Sequence, residues 1–153
     1  KGLGAERAAG IVTFYYMGMA LGRFLSGVAA SRLDSWRIIR LGQITLGGAM
    51  VILLIPGPAW PAAAGLFLVG LGNGPMFPNF NYLTPRNFGA DVSQAVIGTQ
   101  MAASYVGIML APAVCGLLGQ WIHMGVFPFY LAFFYLLMLA ATRRVRRVLG
   151  VNL

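Results

Sequence analysis

Charged side chains are concentrated at a few points along this chain and leave two long uncharged tracts. No charged residue occurs between Arg40 and Arg86, or between Asp91 and Arg143. About 20 apolar residues in an α-helix cross the ~30 Å hydrocarbon core of a bilayer, so each tract is long enough for two crossings. A chain of 153 residues cannot build a water-soluble core that buries both tracts. The pattern therefore predicts helices surrounded by lipid.

Charges and Pro/Gly clusters divide the chain into five predicted spans. Pro56-Gly57-Pro58 ends the second span, because proline supplies no backbone donor and disfavours helix just before it. Pro85, Arg86 and Asp91 mark a loop at 84–93. The prediction is an all-α integral membrane protein with one membrane domain over residues 1–153, whose spans are about 8–30, 38–55, 60–83, 94–118 and 126–142.

Composition agrees with a membrane protein. The mean hydropathy is +0.78, and only 9% of residues are charged, against about 25% in an ordinary soluble domain. The net charge of +8 does not indicate nucleic acid as a partner, because the cations lie at the ends of apolar runs and do not form one basic face. The predicted environment is the lipid bilayer.

The distribution of arginines predicts the orientation of the spans. Cytoplasmic loops collect Lys and Arg, whereas only Lys1 and Arg7 fall on the opposite side in the five-span arrangement. The amino end is then outside and the carboxyl end in the cytoplasm, as an odd number of spans requires. The inner loops and tail hold Arg32, Arg37, Arg40, Arg86, Arg143, Arg144, Arg146 and Arg147.

Residues suited to catalysis or metal binding are few and scattered. The chain has one histidine, His123, one cysteine, Cys115, and three acids, and these fall in different loops and spans. A hydrolytic triad or a metal-ligand set cannot be assembled from them. We therefore expect no enzyme activity, no cofactor and no metal.

An amino end that lies outside, without a signal peptide, predicts a missing upstream helix. Six spans make two inverted groups of three, the half-unit of many secondary transporters, and five is one short. The chain is therefore interpreted as a fragment whose missing amino-terminal half is its partner. A natural five-span assembly partner or channel subunit is the alternative.

Two stretches carry a family resemblance. Gly22 to Gly27, followed by Ala30-Ser31-Arg32, resembles the loop between helices 8 and 9 of the major facilitator superfamily, which makes Gly22, Arg23, Gly27 and Arg32 candidate gating residues. A longer stretch is similar to helices 10 and 11 of bacterial members close to fucose permease-like sugar transporters. It comprises 70–78, Pro85, Phe88-Gly89, Ser93-Gln94, Gly98, Gln100-Met101, Tyr105, Gly107, Pro112 and Gly116.

The resemblance implies that the spans are helices 8 to 12 of a carboxyl-terminal half, without helix 7. It also implies that helices 8, 10 and 11 line a solute pathway. Two stripes of small residues predict close helix packing in lipid, where van der Waals fit drives association. They are Gly18, Gly22 and Ser26 on the first span, and Ala103, Gly107, Ala111, Cys115 and Gly119 on the fourth. For Arg23, snorkelling to the interface is weighed against ligand binding.

The third span carries a predicted helix break at Pro75 and Pro78. Backbone carbonyls freed at mid-bilayer depth must face protein or a water-filled cavity. Asn73, Phe77 and Asn81 follow at i, i+4 and i+8, so they are candidates for lining that cavity. The alternative is that the two amides bond to adjacent helices for structural reasons.

Further polar residues lie near the middle of other predicted spans. Tyr15 and Tyr16 lie on the first span, and Gln100, Ser104 and Tyr105 on the fourth. Amides, hydroxyls and aromatic rings together suit an uncharged polyhydroxyl ligand. We expect these residues to bind a small-molecule substrate.

The resulting hypothesis is alternating-access transport of a small polar solute, a sugar or a similar metabolite, across the bacterial cytoplasmic membrane. Proton-coupled carriers place a carboxylate in the membrane, and here Glu6, Asp34 and Asp91 all lie at span ends or in loops. A symporter would therefore carry its titrating group in the missing half. Eight Met and ten Phe favour the alternative of a multidrug exporter in the same superfamily.

Overall fold

The computed structural model describes residues 5–55, 59–121 and 127–150, and it is α-helical throughout these ranges apart from short turns. The predicted all-α class is confirmed. Pro56-Gly57-Pro58 and His123 lie outside the described residues. The helices are α1 Ala5–Ala29, α2 Ser35–Leu54, α3 Ala59–Asn73, α4 Met76–Phe88, α5 Ala90–Trp121 and α6 Phe127–Val148.

The six described helices correspond to the five predicted spans, with α3 and α4 together in place of the third. Three of them are long and apolar enough to cross a membrane, over Gly10–Ala29, Ser35–Leu54 and Asp91–Trp121. At 15 and 13 residues, α3 and α4 are each shorter than the ~20 residues that a crossing needs. The predicted loop at 84–93 is helical on both sides of Gly89, which is a difference from the sequence interpretation.

Local chemistry sets two of the helix boundaries. The Asp34 carboxylate accepts a hydrogen bond of 3.2 Å from the backbone N–H of Trp36, so Asp34 caps the amino end of α2. Gly89 separates α4 from α5 with φ of 85°, a left-handed conformation that glycine adopts without steric cost. Its N–H donates to the Pro85 carbonyl at 3.0 Å, which closes the last turn of α4. A single residue therefore replaces the expected loop.

The chain divides into two compact units, Lys1–Tyr82 and Leu83–Leu153. In the first unit, α3 packs against both α1 and α2 through glycines. A Cβ atom on Gly70 would collide with the carbonyl oxygen of Tyr15 on α1, and a Cβ on Gly72 would lie 2.6 Å from the carbonyl oxygen of Gly42 on α2. Glycines on both faces of α3 therefore permit two close backbone approaches.

The predicted small-residue stripe of α1 is confirmed as a packing surface. Side chains added at Gly18 and Gly22 would meet the carbonyl oxygens of Phe67 and Leu71 on α3. The apolar core of this unit is formed mainly by α2, with Trp36, Ile39, Leu46 and Ala49 buried. The ring of Trp36 also meets that of Phe80 edge to face, with centroids 6.5 Å apart.

In the second unit, α5 and α6 meet at few points. The Tyr130 hydroxyl of α6 donates a hydrogen bond of 2.7 Å to the carbonyl of Ala111 on α5. Ala111 belongs to the predicted stripe of α5. At Gly107 an added Cβ would meet no described atom within 4 Å, so that part of the stripe has open space beside it.

Candidate functional site

The break between α3 and α4 lies at Gly74 and Pro75. Asn73 is the last residue of α3 and Met76 the first of α4. The N–H of Gly74 still donates to the Gly70 carbonyl at 2.8 Å, but Pro75 has no N–H with which to form the next helical hydrogen bond. Pro78 lies in the first turn of α4, where a backbone N–H has no helical acceptor, so proline is tolerated there. Pro75 therefore removes one helical hydrogen bond at the interruption.

A buried amide outside the set of predicted site residues stabilises this break. The Asn79 side-chain nitrogen donates to the Ser26 hydroxyl of α1 at 2.8 Å and to the Pro75 carbonyl at 2.7 Å. Asn79 and Ser26 are only 6% and 7% exposed. The available signal was an asparagine four residues after a helix-breaking proline, where its amide can reach back to the proline carbonyl.

Near the end of α3, the structure brings together three predicted binding residues. The Asn73 amide nitrogen donates to the Tyr15 hydroxyl at 3.2 Å. The Tyr15 and Tyr16 rings meet edge to face, with centroids 5.3 Å apart. Asn73 and Tyr16 are exposed, and Tyr15 is half-buried. The result is a partly exposed cluster of one amide and two phenols on otherwise apolar helices.

The remaining predicted residues of this region lie on α4. Phe77 is exposed and Asn81 half-buried. The spacing of Asn73, Phe77 and Asn81 assumed one continuous helix, but α3 ends and α4 begins between the first two. Their alignment on one face therefore remains a prediction.

On α5, the three predicted polar residues have different surroundings. The Thr84 hydroxyl donates to the Gln100 side-chain oxygen at 3.4 Å, and Thr84 is only 2% exposed. The Ser104 hydroxyl donates to the backbone carbonyl of Gln100 at 2.8 Å, within its own helix. The ring of Tyr105 is 68% exposed.

An open depression of about 420 Å³ lies along α5 on the side of Gln100. Its walls are largely apolar, with Thr99 and Gln100 as the polar groups. Such a surface can accept the apolar face of a ligand while the amide of Gln100 fixes a polar atom. The lining residues are Val92, Ala95, Val96, Thr99, Gln100 and Ala103.

The candidate gating residues do not form one cluster. Gly22 packs against the backbone of Leu71, whereas Gly27 has open space within 4 Å of an added Cβ. Arg23 and Arg32 are both exposed, Arg23 on α1 and Arg32 in the turn between α1 and α2. Among the described residues, no group of three or more His, Cys, Asp or Glu side chains is placed to hold a metal ion.

Comparison with known families decides the class of the protein. The sequence profile of the Major Facilitator Superfamily matches residues 2–150. The chain belongs to the Major Facilitator Superfamily. Comparison with curated proteins and with solved structures gives no significant match. The predicted superfamily is therefore confirmed, while the fucose permease-like subgroup stays a prediction.

Membership of the Major Facilitator Superfamily assigns the chain to membrane transport, and the superfamily consists of transporters, not enzymes. It also explains the large apolar side chains that lie on the surface of the helices. Phe24, Ile108 and Met109 are each about 70% exposed, which lipid accommodates and water does not. Among the described residues, α1, α2 and α5 are the helices of this superfamily protein that are long and apolar enough to span a membrane.

Proposed function

We propose that this chain forms part of a secondary transporter that moves a small, uncharged polar solute, such as a sugar, by alternating access. The observation that supports it most is the hydrogen bond between Asn73 and Tyr15 beside the break after α3. An asparagine amide has two donors and an acceptor oxygen, so the exposed Asn73 can bind a solute hydroxyl while it keeps its bond to Tyr15.

Aromatic and amide groups supply the other contacts of the proposed site. Tyr16, 63% exposed, presents a ring beside Tyr15 against which the apolar face of a sugar ring can pack. We assign Phe77 and Asn81 on α4 to the same wall. The second set of binding groups comprises Gln100, Ser104 and Tyr105 on α5.

The charge distribution disfavours a cationic solute. Glu6 is the second residue of α1, Asp34 caps α2, and Asp91 lies in the first turn of α5. No acidic residue of this sequence therefore belongs to the middle of a helix. Symport with protons would use a carboxylate in a further helical half of the same polypeptide, which is the proposed partner and the second wall of the pathway.

The proposed location is the bacterial cytoplasmic membrane, with the carboxyl end in the cytoplasm. Positive-inside bias supports this orientation, because four arginines follow the apolar part of α6. Gly22, Arg23, Gly27 and Arg32 would then lie at the cytoplasmic end of α1, where gating contacts between halves form. A reporter protein that is active only in the cytoplasm should be active when it is fused after Leu153. Activity of a periplasm-specific reporter at the same position would contradict this orientation.

Export of amphipathic drugs is a second candidate function, favoured by one observation. Phe14, Tyr16 and Met17 are large exposed side chains of α1, with exposures of 44%, 63% and 56%, and Phe14 and Met17 share one face of the helix. Adaptable side chains of this kind suit ligands of varied shape. Sugar transport would use Tyr16 alone among the three, whereas drug binding would use all of them.

Uptake of labelled sugars into vesicles that contain the full gene product tests the proposal. Asn73→Ala should raise KM or abolish uptake, and Gln94→Ala, which removes an exposed amide at the start of α5, should leave uptake unchanged. Sugar uptake that is indifferent to Asn73→Ala, or drug efflux without any sugar uptake, would contradict the proposed substrate class.

A further inference from the structure

The last helix continues past its apolar stretch into a basic segment. α6 runs unbroken from Phe127 to Val148, and four arginines follow Thr142. Thr142 does not interrupt the helix, because its buried hydroxyl donates back to the Met138 carbonyl at 2.8 Å. The apolar part, residues 127–142, covers about 24 Å at 1.5 Å per residue, against about 30 Å of hydrocarbon. The arginines therefore lie close enough to the headgroups for their long side chains to reach them.

The end of this segment is determined by local sequence. Gly150 has φ of 65°, and its N–H donates to the Arg147 carbonyl at 3.3 Å. The N–H of Leu149 donates to the Val145 carbonyl at 3.0 Å. A left-handed glycine with this pattern of bonds terminates a helix, so residues 143–149 are held in helical geometry up to Gly150.

Helical geometry gives the segment two chemically different faces. Arg143, Arg146 and Arg147 have i, i+3, i+4 spacing and share one face, with Arg144 beside them. Val145, Val148 and Leu149 have the same spacing on the opposite face. Arg143, Arg144 and Arg147 are exposed and Val148 is 80% exposed, whereas Arg146 and Leu149 are half-buried.

We propose that residues 143–149 are a binding site for anionic phospholipid headgroups at the membrane surface. The guanidinium groups of the exposed Arg143, Arg144 and Arg147 bind headgroup phosphates, which they can approach with two parallel hydrogen bonds. Val145, Val148 and Leu149 enter the adjacent acyl region, as the apolar face of an interfacial helix does. The negative end of the helix dipole stabilises Arg146 and Arg147, the two cations in the last turn of α6.

The apolar face distinguishes lipid from an acidic soluble protein as the occupant. An acidic protein surface would neutralise the arginines but would leave Val148 in water. A bilayer with anionic headgroups satisfies both faces at once, because phosphate and acyl chains lie next to each other. The charge pattern and the exposed valine therefore favour the membrane.

A fluorophore on the apolar face provides a local test. The full chain with Cys115→Ser and Val148→Cys is labelled with an environment-sensitive dye and reconstituted in phosphatidylcholine, with and without phosphatidylglycerol. We expect emission at shorter wavelength in the anionic bilayer. Raising the salt from about 0.01 M to about 1 M shortens the screening length from about 30 Å to about 3 Å, so the shift should then diminish.

Paired arginine variants identify the groups responsible. Each cation near an anionic surface strengthens binding to that surface roughly fivefold. The double variant Arg143→Gln/Arg147→Gln should therefore weaken binding of the segment by roughly 30-fold at low salt and remove most of the emission shift. The matched control is the double variant Arg37→Gln/Arg40→Gln, which removes two exposed arginines of α2 and should retain the emission shift. Identical emission in both bilayers, or equal loss in both double variants, would overturn the proposal.

Discussion

The side-chain amide of Asn79 lies 2.8 Å from the hydroxyl of Ser26, and this buried hydrogen bond joins α4 to α1. The same amide reaches back to the Pro75 carbonyl at 2.7 Å, so both of its N–H groups are used. The carbonyl beside the helix break is thereby satisfied by protein, which apolar surroundings require. Asn79 is a structural residue that holds the bend between α3 and α4.

Replacing Asn79 should destabilise the protein. In Asn79→Ala the buried Ser26 hydroxyl and the Pro75 carbonyl both lose a donor, so we expect the free energy of unfolding to fall by about 1–3 kcal/mol. Thermal unfolding of the purified protein measures the effect. Asn73→Ala removes an exposed amide and should lower the free energy of unfolding by a smaller amount. Equal losses for the two variants would contradict a structural role specific to Asn79.

Two glycines of α1 form a matched pair for testing helix packing. In Gly22→Ala the new methyl group would collide with the backbone of Leu71, so we expect a loss of about 1–3 kcal/mol as α1 and α3 separate. In Gly27→Ala the methyl group enters open space, and helix propensity predicts a gain of up to about 1 kcal/mol. Thermal midpoints that move in the same direction would contradict the packing of α1 on α3.

The two prolines of the break should differ in their effect on transport. Pro75→Ala supplies the missing N–H and permits α3 and α4 to join, so the protein should stay folded while its transport rate falls. Pro78 lies in the first turn of α4, where a backbone N–H has no helical acceptor. The Pro78→Ala protein should therefore transport at the rate of the original chain. Initial uptake rates, normalised to folded protein, measure both. Equal rates for Pro75→Ala and the original chain would show that the bend is dispensable.

A tyrosine hydroxyl of α6 forms a hydrogen bond with the backbone of α5. Tyr130→Phe removes the 2.7 Å hydrogen bond to the Ala111 carbonyl, and we expect a loss of about 0.5–1.5 kcal/mol. Tyr105→Phe, at an exposed ring, is the control and should not change the unfolding temperature. If Tyr130→Phe unfolds like the original chain, the hydroxyl does not stabilise this helix pair.

The positions of several helices and one packing face could be predicted from the sequence, because lipid requires long apolar helices and close contacts between them. The spacing of charges located α1, α2 and α5, and the four-residue spacing of Gly18 and Gly22 indicated a packing face. Other features depend on backbone detail that composition does not reveal. Gly89 continues the chain from α4 into α5 in one residue, where polar and proline residues suggested a loop.

The candidate site could be predicted only in part. Polar residues in apolar spans predict Tyr15 and Asn73 as binding residues, and the two side chains do meet. Asn79 is not indicated by the sequence pattern, because helical spacing from Asn73 leads to Asn81. Because the helix is interrupted at Pro75, Asn79 reaches α1. This contact depends on the three-dimensional path of the backbone and cannot be inferred from residue type.

Chemical accessibility of position 73 tests most directly whether α1 and α3 border a water-filled solute pathway. With Cys115→Ser as background, we expect Asn73→Cys to react with a membrane-impermeant thiol reagent and to be protected by the transported solute. Ile44→Cys, at an exposed apolar position of α2, should not react, because lipid excludes the thiolate. An unreactive Asn73→Cys beside a reactive Ile44→Cys would contradict the pathway.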